Sequence, residues 1–77
     1  MAYQELRGHK QDILNEIGSE WVRKEKALLV SYGVVNWGMS RKEASAMAEL
    51  TVEEMLTDAA KRKAEGLPWK MLFQPQA

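Results

Sequence analysis

Cysteine is absent from the 77 residues. That excludes disulfides and thiolate metal centres, and with them the class of small secreted scaffolds stapled by disulfides. Long apolar runs are absent too. The longest aliphatic stretch is Ala27–Val30, far short of the roughly 20 residues a membrane helix needs. The first residues, Met1–Glu5, lack the basic start and apolar stretch of a signal peptide. Glycine occurs five times, each time singly, so no phosphate-cradling loop or dinucleotide fingerprint is present. No excess of one charge exists either, since 11 basic residues balance 11 acidic ones. Phosphate-directed nucleic-acid binding draws most of its affinity from a basic excess.

What is present is an apolar fraction of 45%, too high for a disordered chain. The length suits one domain, 1–77. Such a chain buries only about 60% of the surface it exposes when unfolded, and self-association is a common remedy for so thin a core.

Strand alternation is missing, whereas helical spacing recurs almost throughout. The expected fold is all-α, a small bundle of about four helices. Tyr3, Leu6, Ile13, Leu14 and Ile17 predict a first helix over Tyr3–Ile17. Gly18-Ser19 reads as its stop followed by a fresh cap; the alternative is one kinked helix running through the pair. The second helix is expected over Glu20–Tyr32. Its Trp21 and Leu28, with Leu14 before and Val35 after, fall at intervals of seven, a stripe assigned to the chain's own core. Gly33–Met39 reads as a loop or frayed end.

Ser40-Arg41-Lys42-Glu43 fits a capping box, and Thr51-Val52-Glu53-Glu54 repeats it eleven residues on. Two helix starts that close predict a short helix over Arg41–Glu49 and another over Val52–Glu65, stopped by Gly66 and Pro68. Glu53 and Glu54 in the first turn of the latter, and Lys61, Arg62 and Lys63 near its end, both suit the helix dipole. The tail, 67–77, carries Trp69, Met71, Leu72 and Phe73 and is expected to pack back on the core; the alternative is a docking segment. Trp21, Trp37 and Trp69 are all assigned to the core.

With Ser40, Ala44, Leu50, Thr51, Val52 and Met55 in place, the segment from 26 to about 66 resembles the helix-turn-helix of sigma-factor region 4 and LuxR-type regulators. The resemblance covers about half of the chain. It implies a helix-turn-helix-like pair over about 40–66, with the helix from Val52 in the recognition position. Two departures stand out. Glu49-Leu50 occupies the turn where that family often has glycine, and the outer face presents Glu53, Glu54, Thr57, Asp58 and Lys61. Carboxylates there would meet DNA phosphates at close range, whereas Arg, Lys, Asn and Gln are the usual base readers.

Catalytic and metal chemistry find little support. His9, the single histidine, shares a helix face with Glu5, Asp12 and Glu16, but one helix cannot surround an ion. The Glu53-Glu54 pair is explained by its place at a helix start, and no nucleophile–base pair suggests itself. The expected protein is therefore a non-enzymatic regulator or binding module without cofactor, metal or membrane contact, working in the cytoplasm (the host's, if phage-encoded). Its partner is another protein, such as transcription machinery, or a second copy as a dimer. The partner-binding candidates are Glu53, Glu54, Thr57, Asp58, Trp69 and Phe73. The alternative is a DNA-binding regulator, which requires Arg41, Lys42, Lys61, Arg62 and Lys63 to form one patch.

Overall fold

The residue Gly18 sets the first bend of the chain. Its φ of +87° lies in a region that favours glycine, and its amide closes the preceding helix on the Leu14 carbonyl at 2.9 Å. In the computed structural model, which describes residues 3–73 without the Tyr3 side chain, α1 spans Tyr3–Ile17 and α2 spans Ser19–Trp37 on either side of it. The kinked single helix is therefore not formed. Ser19 is already helical rather than a cap, and the cap position is held by Gly18. The expectations for Gln74–Ala77 and for the Tyr3 side chain lie outside the described residues.

α2 overruns its expected end at Tyr32 by more than a turn. Glycine inside a helix costs about 1 kcal/mol relative to alanine, yet Gly33 is buried within α2. A Cβ at that position would stand 3.0 Å from Met39 Sδ, 3.1 Å from Met47 Cε and 3.2 Å from Ala44 Cβ. The missing side chain is what lets the next helix approach. α2 ends instead at Gly38, which is left-handed with φ of +65°, and the amides of Gly38 and Met39 both close on the Gly33 carbonyl.

The Ser40 capping box forms as expected. The Ser40 hydroxyl accepts from the Glu43 amide and the Glu43 carboxylate accepts from the Ser40 amide, each at 3.1 Å. It opens α3, Arg41–Ala64. The second box does not form, and the pair of helices over Arg41–Glu49 and Val52–Glu65 is one continuous helix. The Thr51 hydroxyl donates to the Met47 carbonyl at 2.9 Å, one turn back; a threonine satisfied in this way needs no helix start. No glycine or proline lies between Ser40 and Gly66 to force a break. The described residues thus hold three helices and a short 3-10 turn, Lys70–Phe73, rather than about four helices, with no strand.

α3 stops where Gly66 turns left-handed with φ of +74°. Gly66 donates to the Lys63 carbonyl at 3.1 Å and Leu67 to the Arg62 carbonyl at 2.8 Å, the paired bonds of a Schellman end. Pro68 then keeps the helix from resuming, and the chain folds back. Trp69 and Phe73 are buried with Ile13, Val52, Leu56, Ala59 and Ala60. Phe73 meets the edges of both Trp21, at 5.1 Å between ring centres, and Trp69, at 6.1 Å.

α3 is the hub, packing on both α1 and α2, while those two scarcely touch each other. Small residues make this possible: Ala44 and Ala48 lie under α2, and Ala59 and Ala60 join the cluster with Ile13 of α1. The result is a slab of 39 × 27 × 18 Å with a radius of gyration of 13.5 Å. A compact chain of this length would have about 11.5 Å. Two helical layers fill the short dimension.

Candidate interaction surface

Several of the polar residues singled out from the sequence hold the slab together. Lys10 of α1 pairs with Glu53 of α3, and Lys63 of α3 reaches Asp12 of α1 at 3.4 Å. Lys70 in the folded-back tail pairs with Glu16 at 2.6 Å. Thus Asp12 and Glu16, which share a face with His9 and Glu5, tie α1 to α3 and to the tail. Among the described residues no group of three or more histidines and carboxylates converges as a metal site would require. His9 Nδ1 and Trp21 Nε1 are buried without a hydrogen-bond partner among the described residues.

The acidic face of α3 divides. Glu53 is engaged by Lys10, the Thr57 hydroxyl donates to the Glu53 carbonyl at 2.9 Å, and Asp58 pairs with Arg62 at 3.3 Å; Glu54 is exposed. Trp69 and Phe73, named as partner-binding candidates, are core residues, because the tail that carries them completes the cluster around Ile13. The structure therefore does not bring the six partner-binding candidates together on one surface.

Nor does it gather the basic residues. Arg41 and Lys42 open α3 whereas Lys61, Arg62 and Lys63 close it. Twenty residues of continuous helix, at 1.5 Å per residue, hold the two groups about 30 Å apart. Within the second group Arg62 and Lys63 already face Asp58 and Asp12. The positions that carry the helix-turn-helix resemblance play different parts within α3, and Met55 packs against the core. Ser40 caps, Ala44 and Val52 are buried, Thr51 is bonded within the helix, and Leu50 is exposed.

Two carboxylates titrate below the ordinary glutamate range, both through local bonds. The Ser40 amide, donating to Glu43, stabilises its charged form. The Arg23 guanidinium, hydrogen-bonded to Glu20, does the same there and is itself raised. Both are exposed helix-end devices.

The uncommon surface lies elsewhere, on α2. No charged residue occurs from Ala27 to Ser40, so the second half of α2 is uncharged all round its axis. One side, with Gly33, packs on α3. The opposite side leaves Leu28 53%, Tyr32 51% and Val35 75% exposed, and Trp37, one turn beyond Gly33 at the end of α2, is 59% exposed. Leu28, Tyr32 and Val35 follow one another at four and three residues, hence on one face. Tyr32 and Trp37 stack edge to face at 5.3 Å, each orienting the other. Alongside runs a groove of about 420 Å³ lined by Ala27, Val30, Ser31, Val34 and Val35 of α2 and by Arg41 and Ser45 of α3. The assignment of the Leu28–Val35 stripe and of Trp37 to the core is corrected by these exposures. The signal that would have found this surface is in the sequence: fourteen residues without charge are more than one buried face of a helix requires.

These features define a class, that of a small all-α slab carrying one uncharged, open helical face. No protein-family model matches the chain, no curated protein matches its sequence, and no solved structure matches it. Among the described residues no helix is long and apolar enough to cross a membrane.

Proposed function

We propose that this chain is a non-catalytic protein-binding module and that the outer face of α2 is its working surface. One observation carries the reading: a helical stretch uncharged all round is suited to lie between two layers of protein, and among the described residues the second half of α2 has a layer on one side only. An apolar patch of this kind, rimmed by the polar residues Arg23, Lys24 and Asn36 at its ends, is what marks protein contact sites. Of the acidic residues of α3 that suggested a partner, Glu53 and Asp58 pair within the chain, and Glu54 is exposed. A role in DNA binding has no corresponding observation in its favour, given the separation of the basic groups.

Site-specific photo-crosslinking in cells tests this. A photoreactive phenylalanine analogue in place of Val35 is expected to give a covalent protein adduct, and the same analogue in place of Glu54 is not. Equal adducts from both positions, or none from Val35, would reject the α2 face as the working surface.

A further inference from the structure

We infer that the layer missing from α2 is a second copy of this chain, bound antiparallel through the same face about a twofold axis between Ser31 and Tyr32. The inference rests on the binding role proposed above and names its partner.

The first argument is symmetry of the stripe. Reversal about the midpoint of residues 31 and 32 exchanges Leu28 with Val35 and Ser31 with Tyr32. An antiparallel copy therefore sets the leucine of each chain against the valine of the other. The bulky Tyr32 side chain of each then stands over the small Ser31 of its counterpart. A twofold contact must be complementary to itself, and this one is, large against small at the centre and aliphatic against aliphatic on both flanks.

The second argument is charge. Two like copies meeting over the stretch 27–40 bring no like charges together, because the stretch has none. One turn before Leu28 lies Lys24, exposed on the same face. In the antiparallel arrangement Lys24 of each copy falls beside the C-terminal end of the other's α2. That end carries the negative pole of the helix, and α2 has no basic residue of its own in its last turn. Each copy thus supplies the cation that the other's helix lacks.

The third argument is area. Leu28, Tyr32 and Val35, with exposed Ala27, Ser31 and Val34 beside them, together present on the order of 500 Å² per copy, at the upper end of what an ordinary monomer shows in one patch. Two copies face to face bury on the order of 1,000 Å², which reaches the size a specific interface requires. Flanking Ala27 and Ser31 are small enough to let the helices approach closely.

The absence of cysteine makes a direct test clean. Ser31→Cys and Ser19→Cys are each made in the full chain and oxidised under mild conditions, and the wild type is weighed in solution by light scattering after gel filtration. The expected results are a wild-type mass twice the 8.8 kDa of the chain and rapid disulfide-linked dimer from the variant at Ser31. None is expected from the variant at Ser19, whose two copies would lie about 35–40 Å apart at 1.5 Å per residue. Cross-linking at Ser19 but not Ser31 would overturn the antiparallel arrangement, and a monomeric wild type at 100 μM would overturn the dimer. Val35→Glu is expected to give a monomer of unchanged helical circular dichroism, and adding Leu28→Lys to restore the dimer, since each new lysine then faces a new glutamate. Should the wild type be monomeric while the photoreactive analogue at position 35 still captures a different protein in cells, the second copy is refuted and the binding role stands. Failure of both removes the surface altogether.

Discussion

Replacing Gly33 by alanine separates what the local helix prefers from what the tertiary contact permits. In an isolated helix the change stabilises by about 1 kcal/mol. At Gly8, inside α1, a Cβ meets nothing within 4 Å, so Gly8→Ala is expected to show that gain in full, about 4–8 °C in Tm for a chain of this size. At Gly33 the same Cβ lands 3.0 Å and 3.1 Å from the ends of Met39 and Met47 and 3.2 Å from Ala44 Cβ. The methionine ends can swing away cheaply. The Ala44 Cβ is fixed to the backbone of α3 and can yield only if the helices part. Overpacking of this kind costs about 1–3 kcal/mol, which cancels or exceeds the helical gain. Gly33→Ala is thus expected to lie about 1–3 kcal/mol below Gly8→Ala in urea denaturation monitored by circular dichroism, with the wild type between the two or level with the lower. Equal stabilisation by the two substitutions would refute the close approach of α2 to α3, and with it the account of why glycine stands in the middle of a helix.

The other predictions concern the tail, the caps and the basic residues. Phe73→Ala removes the ring that joins Trp21 to Trp69 and is expected to cost about 3–5 kcal/mol, enough to unfold much of a domain this small at 25 °C, as read by loss of helical circular dichroism. Ser40→Ala is expected to cost about 1 kcal/mol through the lost cap and Thr51→Ala much less, because Thr51 caps nothing; equal losses would restore a helix start at Thr51. Glu43 is held below the ordinary glutamate range when folded, so its contribution is complete above that range and is lost as pH falls through its lowered value. Glu43→Gln should remove that part of the acid dependence of stability. Random-sequence duplex DNA in fluorescence anisotropy at low salt is expected to show no salt-sensitive binding; micromolar binding that weakens steeply with salt would show a phosphate-contacting surface.

How much of this was legible beforehand depended on how local the cause is. The all-α class, the extent of α1, the stop at Gly18, the capping box at Ser40 and the end at Gly66 were all readable, because each rests on residues within one or two turns of each other. The fold-back of Trp69 and Phe73 was readable too, from the cost of leaving large apolar side chains in water. The same two residues show where the reading of the site failed, since a side chain that completes the core is not available to a partner.

Position by position, the misreadings share one physical origin. Ser40 and Thr51 open the same motif, and only at Ser40 does the chain arrive from a left-handed glycine, leaving free amides to cap. Thr51 sits between residues already packed into α3, where its hydroxyl bonds backward. Gly33 looks like punctuation until Ala44 and Met47 are placed against it. Lys61–Lys63 and Arg41-Lys42 look like one patch if a turn intervenes and lie at opposite ends once it does not. The uncharged stretch 27–40 was present in the sequence as composition, and composition alone cannot say which side of a helix a second helix covers. Local propensity and capping fixed α1, the start of α3 at Ser40 and the stops at Gly18 and Gly66, because they act over a few residues; the run of α2 to Trp37 and of α3 through Thr51 depended on the packing of the two helices. Which face of α2 is buried, and which is left exposed, was decided only when α3 ran straight through and took one side.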